Sequence, residues 1–404
     1  MGVFSGPELV TSGLVFGYDS GSVMKSWRGA PATNLFTETN LNNWSKSATV
    51  ATSSFVAPFD ITTYLVEDDN ASAWESIDRN VTVPNDSSSY TLSLFVRKTY
   101  GGVSARLGFN SGFNTGGTTV AVNQRFNSDT GVATNGIVID YGDWWYWYFT
   151  ITNNSSGNTN LYCSFYPATG PYNSSDASSA VGTAVVGGFM LVAGSTAARF
   201  VAGTRSNTQA LLDMAKLNTI TATSLAYASN DTFSFNGTNS DVTGSANAAT
   251  LGITNNLTIS IFTRRTASPT NALQGQAGFG SGGSISIKNS TSYFADINSA
   301  TPTRYIVHIS PAGAGVAIYE NVWVNLCVTV SGTTVKTFLN GALASTQTMD
   351  TTIKSFASEV FGLGAGYGYF RAQADIPVAY VYNRALTDIE VQQNFNSLRG
   401  RFGI

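Results

Sequence analysis

The sequence has little charge and no long apolar run. Lys, Arg, Asp and Glu make up 11% of its 404 residues, and the formal net charge is −3. No cluster of Lys and Arg is interleaved with aromatic residues, so the positive surface that nucleic-acid binding requires is missing. Nowhere do 18 apolar residues follow one another, which argues against a membrane span. The sequence therefore predicts neither a nucleic-acid partner nor membrane insertion.

Histidine and cysteine are almost missing. His308 is the only histidine, which excludes His-rich zinc sites and leaves one candidate base for a Ser-His-Asp system. Its place in an alternating segment, 305–310, favours a structural role. Cys163 and Cys327 lie on strand-like segments far apart in the sequence, and we predict that both are buried free thiols. No catalytic residue is predicted.

Aromatic residues, in contrast, make up 12% of the chain, and Gly, Ser, Thr and Asn are abundant. Short alternating segments are separated by clusters of Gly, Asn, Ser and Pro, which is typical of antiparallel β-sandwiches. Repeated helical periods are missing, and the length fits two domains. We predict an all-β protein with two antiparallel β-sandwiches and a short C-terminal helix.

The C-terminal helix is predicted from its first turn. Thr387 and Glu390 have the spacing of a capping box, in which each side chain accepts a hydrogen bond from the other residue's backbone amide. The apolar residues that would form a stripe against the sandwich are Leu386, Ile389, Phe395 and Leu398.

Three segments resemble the laminin-G/concanavalin A-like lectin sandwich. They are an "FxGxxD"-type strand and turn at 232–242, a strand ending in Asn-Gly at 335–341, and a late core strand with its exit at 379–387. The strand at 13–19 resembles the opening strand of the phage-type members, which the "FxGxxD" strand normally follows within a few tens of residues. Here roughly two hundred residues intervene, so the resemblance implies a discontinuous sandwich, 1–31 plus 205–404, with an inserted domain.

The insert, 32–204, resembles the carbohydrate-binding-like jelly rolls of phage structural proteins. The resemblance rests on the opening 34–36, the strand at 90–98 and the aromatic strand at 142–148, although the usual closing glutamate is missing. A second sandwich is therefore expected here.

The aromatic strand supplies the candidate glycan contacts. Alternation puts Trp145 and Trp147 on one face and Trp144, Tyr146 and Tyr148 on the other. By the resemblance Trp145 would be the buried tryptophan of the module, which leaves Trp144, Tyr146 and Tyr148 to stack on sugar rings. Packing of the same face against a neighbouring domain or subunit is an equally open interpretation.

The resemblance bears on a metal site and on enzyme activity. Laminin-G-like sandwiches often hold calcium at a rim, and Asp241 and Asn239 match that position, although two ligands fall short of a coordination set. The related glucanases carry an E-x-D-x-x-E strand, and the nearest segment, 67–72, lacks the second glutamate. We therefore predict no cofactor other than this calcium candidate, and no enzyme activity.

The ending at 399–404 closely resembles those of tailed-bacteriophage virion proteins, and the N-terminus shows no secretion or lipidation signal. The resemblance implies a virion structural protein, as capsid decoration or tail fibre, that is made in the host cytoplasm and released by lysis. Expected partners are other virion proteins, further copies of the chain in a trimer, and a host-surface polysaccharide. A tail-associated polysaccharide depolymerase and a bacterial surface lectin are the alternatives. The predicted assembly contacts are Gly2, Val3, Phe4, Arg399, Arg401 and Phe402.

Overall fold

The computed structural model describes residues 7–22, 25–98, 106–113, 116–169, 180–227, 233–266, 274–279, 285–289, 293–301, 303–309, 321–364 and 370–404. Within these ranges the chain forms 30 strands, one α-helix and two 3-10 helices. The predicted all-β class with a C-terminal helix is therefore confirmed. In the same ranges, no helix has both the length and the apolar character that crossing a bilayer requires.

In chain order the strands are β1 (Leu14–Asp19), β2 (Ala32–Thr33), β3 (Ser45–Lys46), β4 (Thr49–Ala57), β5 (Ile61–Asp68), β6 (Ile77–Thr82), β7 (Ser89–Arg97), β8 (Arg106–Phe113), β9 (Val120–Asn127), β10 (Val132–Ala133), β11 (Ile137–Asp140), β12 (Trp144–Thr152), β13 (Asn160–Tyr166), β14 (Gly182–Ala193), β15 (Thr204–Arg205), β16 (Ile220–Thr223), β17 (Ala226–Tyr227), β18 (Phe233–Asn236), β19 (Asp241–Asn247), β20 (Asn256–Arg265), β21 (Gln274–Phe279), β22 (Ile285–Asn289), β23 (Tyr293–Asn298), β24 (Arg304–His308), β25 (Trp323–Ser331), β26 (Thr334–Leu339), β27 (Ala342–Thr348), β28 (Val360–Leu363), β29 (Phe370–Arg371) and β30 (Gln373–Tyr382). The α-helix, α1, is Asp388–Phe402, and the 3-10 helices are Leu41–Asn43 and Pro58–Asp60.

The chain divides into two compact units. Unit 1 consists of Met1–Ala30 and Ser206–Ile404, and unit 2 is Pro31–Arg205. Unit 1 contains two eight-stranded sheets. Sheet I has the order β17-β18-β30-β20-β25-β26-β27, with β1 also paired to β30, and sheet II has the order β16-β19-β28-β21-β22-β23-β24, with β29 paired to β21.

The first strand of unit 1 pairs with one of its last. β1 runs antiparallel to β30, and its side chains Phe16 and Tyr18 are fully buried in the core that the two sheets share. Phe233 and Phe235 of β18 lie in that core too, at 3% and 1% exposure. The alternation that placed both rings on one strand face is therefore confirmed.

α1 packs against the face of sheet I that points away from the shared core. Thr387 Oγ1 accepts from the Glu390 amide and the Glu390 side chain accepts from the Thr387 amide, so the capping box is confirmed. Val391 and Phe395 are buried with residues of sheet I, whereas Ile389 is 77% exposed. The predicted stripe is wrong at Ile389, because the helix turns Val391 rather than Ile389 toward the sheet.

Unit 2 contains two six-stranded antiparallel sheets around one apolar core. Sheet III has the order β10-β9-β8-β13-β6-β3, and sheet IV has the order β11-β12-β7-β14-β5-β4. At its two ends β2 pairs with β15, so that Ala32 lies opposite Arg205. The kinship of this unit with jelly-roll modules stays a prediction.

The fully buried tryptophan of β12 is not the predicted one. Trp147 is fully buried and stacks on Phe126 with ring centroids 4.9 Å apart, whereas Trp145 is partly exposed. Trp145 is the second residue of β12, and Lys98 Nζ lies 3.8 Å from the centroid of its ring. Both cysteines are buried and free, as predicted, and burial raises the pKa of the Cys163 thiol to about 12.

Candidate functional site

The outer face of sheet III carries polar and aromatic side chains along β13. Successive residues of a strand point to opposite faces, and on β13 the core-facing residues are buried: Leu161, Cys163 and Phe165. Tyr162, Ser164 and Tyr166 point the other way and are partly exposed. Tyr162 and Tyr166 are four residues apart, which corresponds to roughly 13 Å along the strand. The strand therefore presents two aromatic rings with a hydroxyl between them.

Neighbouring strands extend this face with short polar side chains. Ser164 lies opposite Asn110 of β8 on one side and opposite Asp78 of β6 on the other. Asn110 in turn lies opposite Asn123 of β9. Residues in register across a sheet share a face. The four side chains therefore form a polar row that crosses four strands and passes between the two rings.

Glycines stand beside both rings. Tyr162 lies opposite Gly112 and Tyr166 opposite Gly108, both on β8. A Cβ at Gly112 would lie 2.0 Å from the Val120 carbonyl oxygen, so the close approach of the backbones requires glycine here. No side chain rises from β8 at these two positions, and the space beside Tyr166 is filled from elsewhere: Arg125 Nη1 and Thr169 Cγ2 lie 2.9 and 3.1 Å from where a Cβ of Gly108 would stand.

Hydrogen bonds fix part of the face. The Tyr162 hydroxyl donates to Asn110 Oδ1 at 3.2 Å, and Ser76 Oγ donates to Asp78 Oδ2 at 3.0 Å. Trp74 meets the Tyr166 ring edge-on, with centroids 5.4 Å apart and an interplanar angle of 77°. The rings and the carboxylate are thus held in place by Asn110 of β8 and by residues of the connection between β5 and β6.

The two phenols remain protonated near neutral pH. Burial raises the pKa of Tyr162. Burial also raises the pKa of Tyr166, helped by the negative charge of Asp78. Both hydroxyls are therefore hydrogen-bond donors as well as acceptors.

This arrangement is better suited to binding a sugar than to hydrolysing a glycosidic bond. Flat rings can pack on the C–H faces of pyranoses while amide and hydroxyl groups bind their hydroxyls. Glycoside cleavage needs a pair of carboxyl groups around one bond. Asp78 is the one acidic residue at the outward positions of β6, β8, β9 and β13, all of which the structure describes.

The predicted glycan contacts lie elsewhere and are buried. Trp144, Tyr146 and Tyr148 are on the outer face of sheet IV and are 5%, 7% and 6% exposed. Phe59 and Phe200, from segments of the same unit, pack over this face, and the Tyr146 hydroxyl donates to the Ala198 carbonyl at 3.1 Å. The expected exposure of this face is therefore wrong, because unit 2 covers it with its own chain.

The predicted calcium ligands do not form a coordination set. The Asp241 carboxylate accepts a hydrogen bond from Arg371 Nη1 at 3.0 Å, and Asn239 Oδ1 accepts one from Asn236 Nδ2 at 2.8 Å. Across the described part of the chain, no three His, Cys, Asp or Glu residues are grouped to hold a metal ion. These residues therefore do not fit the calcium site that the resemblance implied.

The predicted assembly contacts are split between the two ends of the chain. Those at the N-terminus lie outside the described residues: Gly2, Val3 and Phe4. At the C-terminus Phe402 packs on Phe262 with centroids 4.7 Å apart, and Arg401 pairs with Asp19. Both residues thus hold α1 on unit 1, while Arg399 is exposed. Their role in assembly stays a prediction.

Tyr162 and Tyr166 are not among the glycan contacts predicted from the sequence. The alternation from Leu161 to Tyr166 carries the signal, because it predicts one apolar face and one face with two tyrosines. What it could not supply is the strand order, which brings Asn110 and Asp78 beside them.

The family match to known proteins lies in unit 1. Residues 236–392 match the family model described as the concanavalin A-like lectin/glucanases superfamily. These residues form a concanavalin A-like domain. The match covers less than half of the chain and includes neither β1 nor unit 2. No curated protein matches the sequence.

The solved structures that match this chain include binding domains of two toxins and one domain of an arabinanase. The binding domain of Paraclostridial Mosquitocidal Protein 1 is 16% identical with a TM-score of 0.37, over 46% of this chain and 49% of that one. The binding domain of botulinum neurotoxin DC, in complex with rat synaptotagmin II, is 15% identical with a TM-score of 0.38, over 48% and 50%. Domain 4 of an extracellular arabinanase from Geobacillus stearothermophilus, in complex with arabinotriose, is 18% identical with a TM-score of 0.35, over 47% and 92%. This chain thus spans about half the length of the two toxin domains.

Proposed function

We propose that the protein is a glycan-binding, non-catalytic structural component of a tailed-bacteriophage virion, and that it binds host-surface polysaccharide through the outer face of sheet III. The observation that carries the proposal is the placement of Tyr162 and Tyr166 on one strand face, with glycines on one side and amides between them. A lectin-like concanavalin A-like domain in the same chain supports a role in adhesion.

Glycan-array screening followed by calorimetry tests the binding site. Tyr162→Ala and Tyr166→Ala should each weaken binding about tenfold, or about 1.4 kcal/mol, because a stacked ring contributes about 0.5–1.5 kcal/mol beyond its buried area. Tyr162→Phe keeps the ring and should retain most of the affinity. Tyr141→Ala removes a partly exposed tyrosine from the other sheet of unit 2 and should leave binding unchanged. Normal glycan binding by both alanine variants would refute this site.

The lack of turnover is part of the proposal. Asp78 is a single carboxylate bonded to Ser76, so the face has no partner acid for general acid–base cleavage. Incubation of the purified protein with host capsule or lipopolysaccharide should release no new reducing ends. Release that is lost in Asp78→Asn would instead favour the depolymerase.

Placement on the virion is supported by the resemblance of the ending at 399–404 to tailed-phage proteins. Antibodies against the chain should label purified particles, and light scattering should give the mass of a trimer. Detection of the protein on an uninfected bacterial surface would favour the surface lectin instead.

A further inference from the structure

The sequence contains three Asn-Gly pairs, beginning at Asn135, Asn236 and Asn340, and all three lie in described turns. In such a pair the glycine backbone nitrogen can attack the preceding asparagine side chain, since no Cβ hinders it and the backbone is freest there. The three pairs have the same local sequence but different surroundings. We propose that Asn135 is a site of spontaneous modification, where the folded chain converts the amide to aspartate or isoaspartate, and that Asn236 and Asn340 are protected.

At Asn135 the attacking backbone nitrogen already contacts the side chain with which it would react. The Gly136 N–H donates to Asn135 Oδ1 at 2.7 Å, which brings the backbone nitrogen beside the carboxamide carbon that it must attack. Both residues are exposed in the connection between β10 and β11. Hydroxide can therefore reach the amide proton, and ammonia can leave into solvent.

At Asn236 both reacting groups are engaged. Gly237 N–H donates to the Ala372 carbonyl oxygen at 2.9 Å, so this nitrogen is held by the residue between β29 and β30. Asn236 Oδ1 accepts from three backbone amides at 2.8, 3.0 and 3.2 Å, those of Thr238, Asn239 and Ser240. Attack would require all of these bonds to open first.

Asn340 is held from its side-chain end. Its Oδ1 accepts from the Asn325 amide at 2.8 Å, and its own amide donates to the Asn325 carbonyl at 2.9 Å. Asn340 lies in the left-handed region, with φ of 50°, in the tight turn between β26 and β27. Rotating the carboxamide toward Gly341 would remove the acceptor of the Asn325 amide.

The reaction balances with water and hydroxide alone. Hydroxide removes the Gly136 amide proton, and the nitrogen attacks Cγ of Asn135, forming a C–N bond and closing a five-membered succinimide. The side-chain nitrogen leaves with its two hydrogens and one added proton as ammonia. Water then opens the ring at either carbonyl, giving aspartate or isoaspartate, and nothing is oxidised or reduced.

The glycine that makes Asn135 reactive cannot be exchanged without strain. Gly136 has φ of 93°, and a Cβ there would lie 2.3 Å from the Tyr148 carbonyl oxygen. The Asn135 carbonyl accepts from Trp147 Nε1 at 3.1 Å. In isoaspartate this carbonyl becomes a free carboxylate, so the reaction changes the partner of a core tryptophan.

Peptide mapping by mass spectrometry tests the proposal on the full-length chain. The folded protein is kept at mildly alkaline pH, and a parallel sample in urea shows when unfolded Asn-Gly pairs have reacted. Conversion of Asn135 in the folded chain should be at least about tenfold faster than that of Asn236 and Asn340, equivalent to about 1.4 kcal/mol in the barrier. In urea the three rates should converge.

Asn135→Gln serves as the matched variant, because its longer side chain would have to close a less favourable six-membered ring. The glutamine at position 135 should keep its side-chain amide. Ageing of the parent should change its tryptophan fluorescence, because the carbonyl that Trp147 contacts becomes a carboxylate. The aged variant should not show this change. Equal conversion at all three sites in the folded chain would overturn the proposal. So would an intact Asn135 in the folded chain after the urea sample has reacted.

Discussion

Lys288 and Asp296 form an ion pair almost completely out of contact with solvent. Their Nζ and Oδ2 atoms are 2.6 Å apart, and the side chains are 1% and 2% exposed. Arg304 adds two bonds of 2.8 Å to the same carboxylate. Burial acts to raise the pKa of Asp296, but the hydrogen bonds and charges of Arg304 and Lys288 outweigh it and lower that pKa. The carboxylate is therefore charged in the folded protein.

Removing this carboxylate should be costly. Asp296→Asn would remove the buried negative charge that pairs with both Lys288 and Arg304, and we expect the free energy of unfolding to fall by about 3–5 kcal/mol. Urea denaturation measures the change. As a control, Lys336→Gln breaks a pair with Asp388 whose side chains are 36% and 48% exposed, and it should cost less than about 1 kcal/mol. Similar losses of unfolding free energy in both variants would contradict the expected difference between the buried and the exposed ion pair.

At the scale of single elements, α1 depends on its first turn. Thr387→Ala removes the side chain that accepts from the Glu390 amide and should cost about 0.5–2 kcal/mol. Thermal unfolding followed by circular dichroism gives the loss, and Thr387→Ser should behave like the parent. An unchanged melting temperature in Thr387→Ala would mean that packing alone sets the start of the helix.

The same turn should make the protein sensitive to acid. The hydrogen bond from Arg384 is the main cause that lowers the pKa of Glu390 to about 2, with bonds from Thr387 adding to it. A carboxyl group with a lowered folded pKa stabilises the protein fully above its unfolded value of about 4.3, and this contribution is lost as pH falls toward 2. Between these two pH values, the free energy of unfolding should vary less with pH in Glu390→Gln than in the parent. Unfolding curves recorded at several pH values measure this dependence.

How far an element could be predicted depends on how local its causes are. The capping box of α1 and the alternation of β18 rest on neighbouring residues, and both were read from the sequence. Which face of β12 is covered depends on Phe59 and Phe200, far away along the chain. The polar face of sheet III likewise depends on the register of β13 with β8 and β6. Alternation along a strand is local, but strand order is not.

At the scale of the whole molecule, the two units should differ in autonomy. A 31–205 fragment carries both of its sheets and the β2–β15 pair that joins its ends, and we expect it to fold and melt cooperatively alone. A 205–404 fragment lacks β1, whose Phe16 and Tyr18 fill the core of unit 1, and we expect it to aggregate. Light scattering and calorimetry of both fragments test this. A soluble, cooperatively melting 205–404 fragment would show that β1 is dispensable.

The pairing of β1 with β30 also has a consequence during synthesis. A ribosome makes β1 some 350 residues before β30, so the nascent chain carries an unmatched apolar strand over that interval. A product terminated before β30 could never shield that strand. We therefore expect proteases and chaperones to recognise truncated chains and to release chains that reach β30.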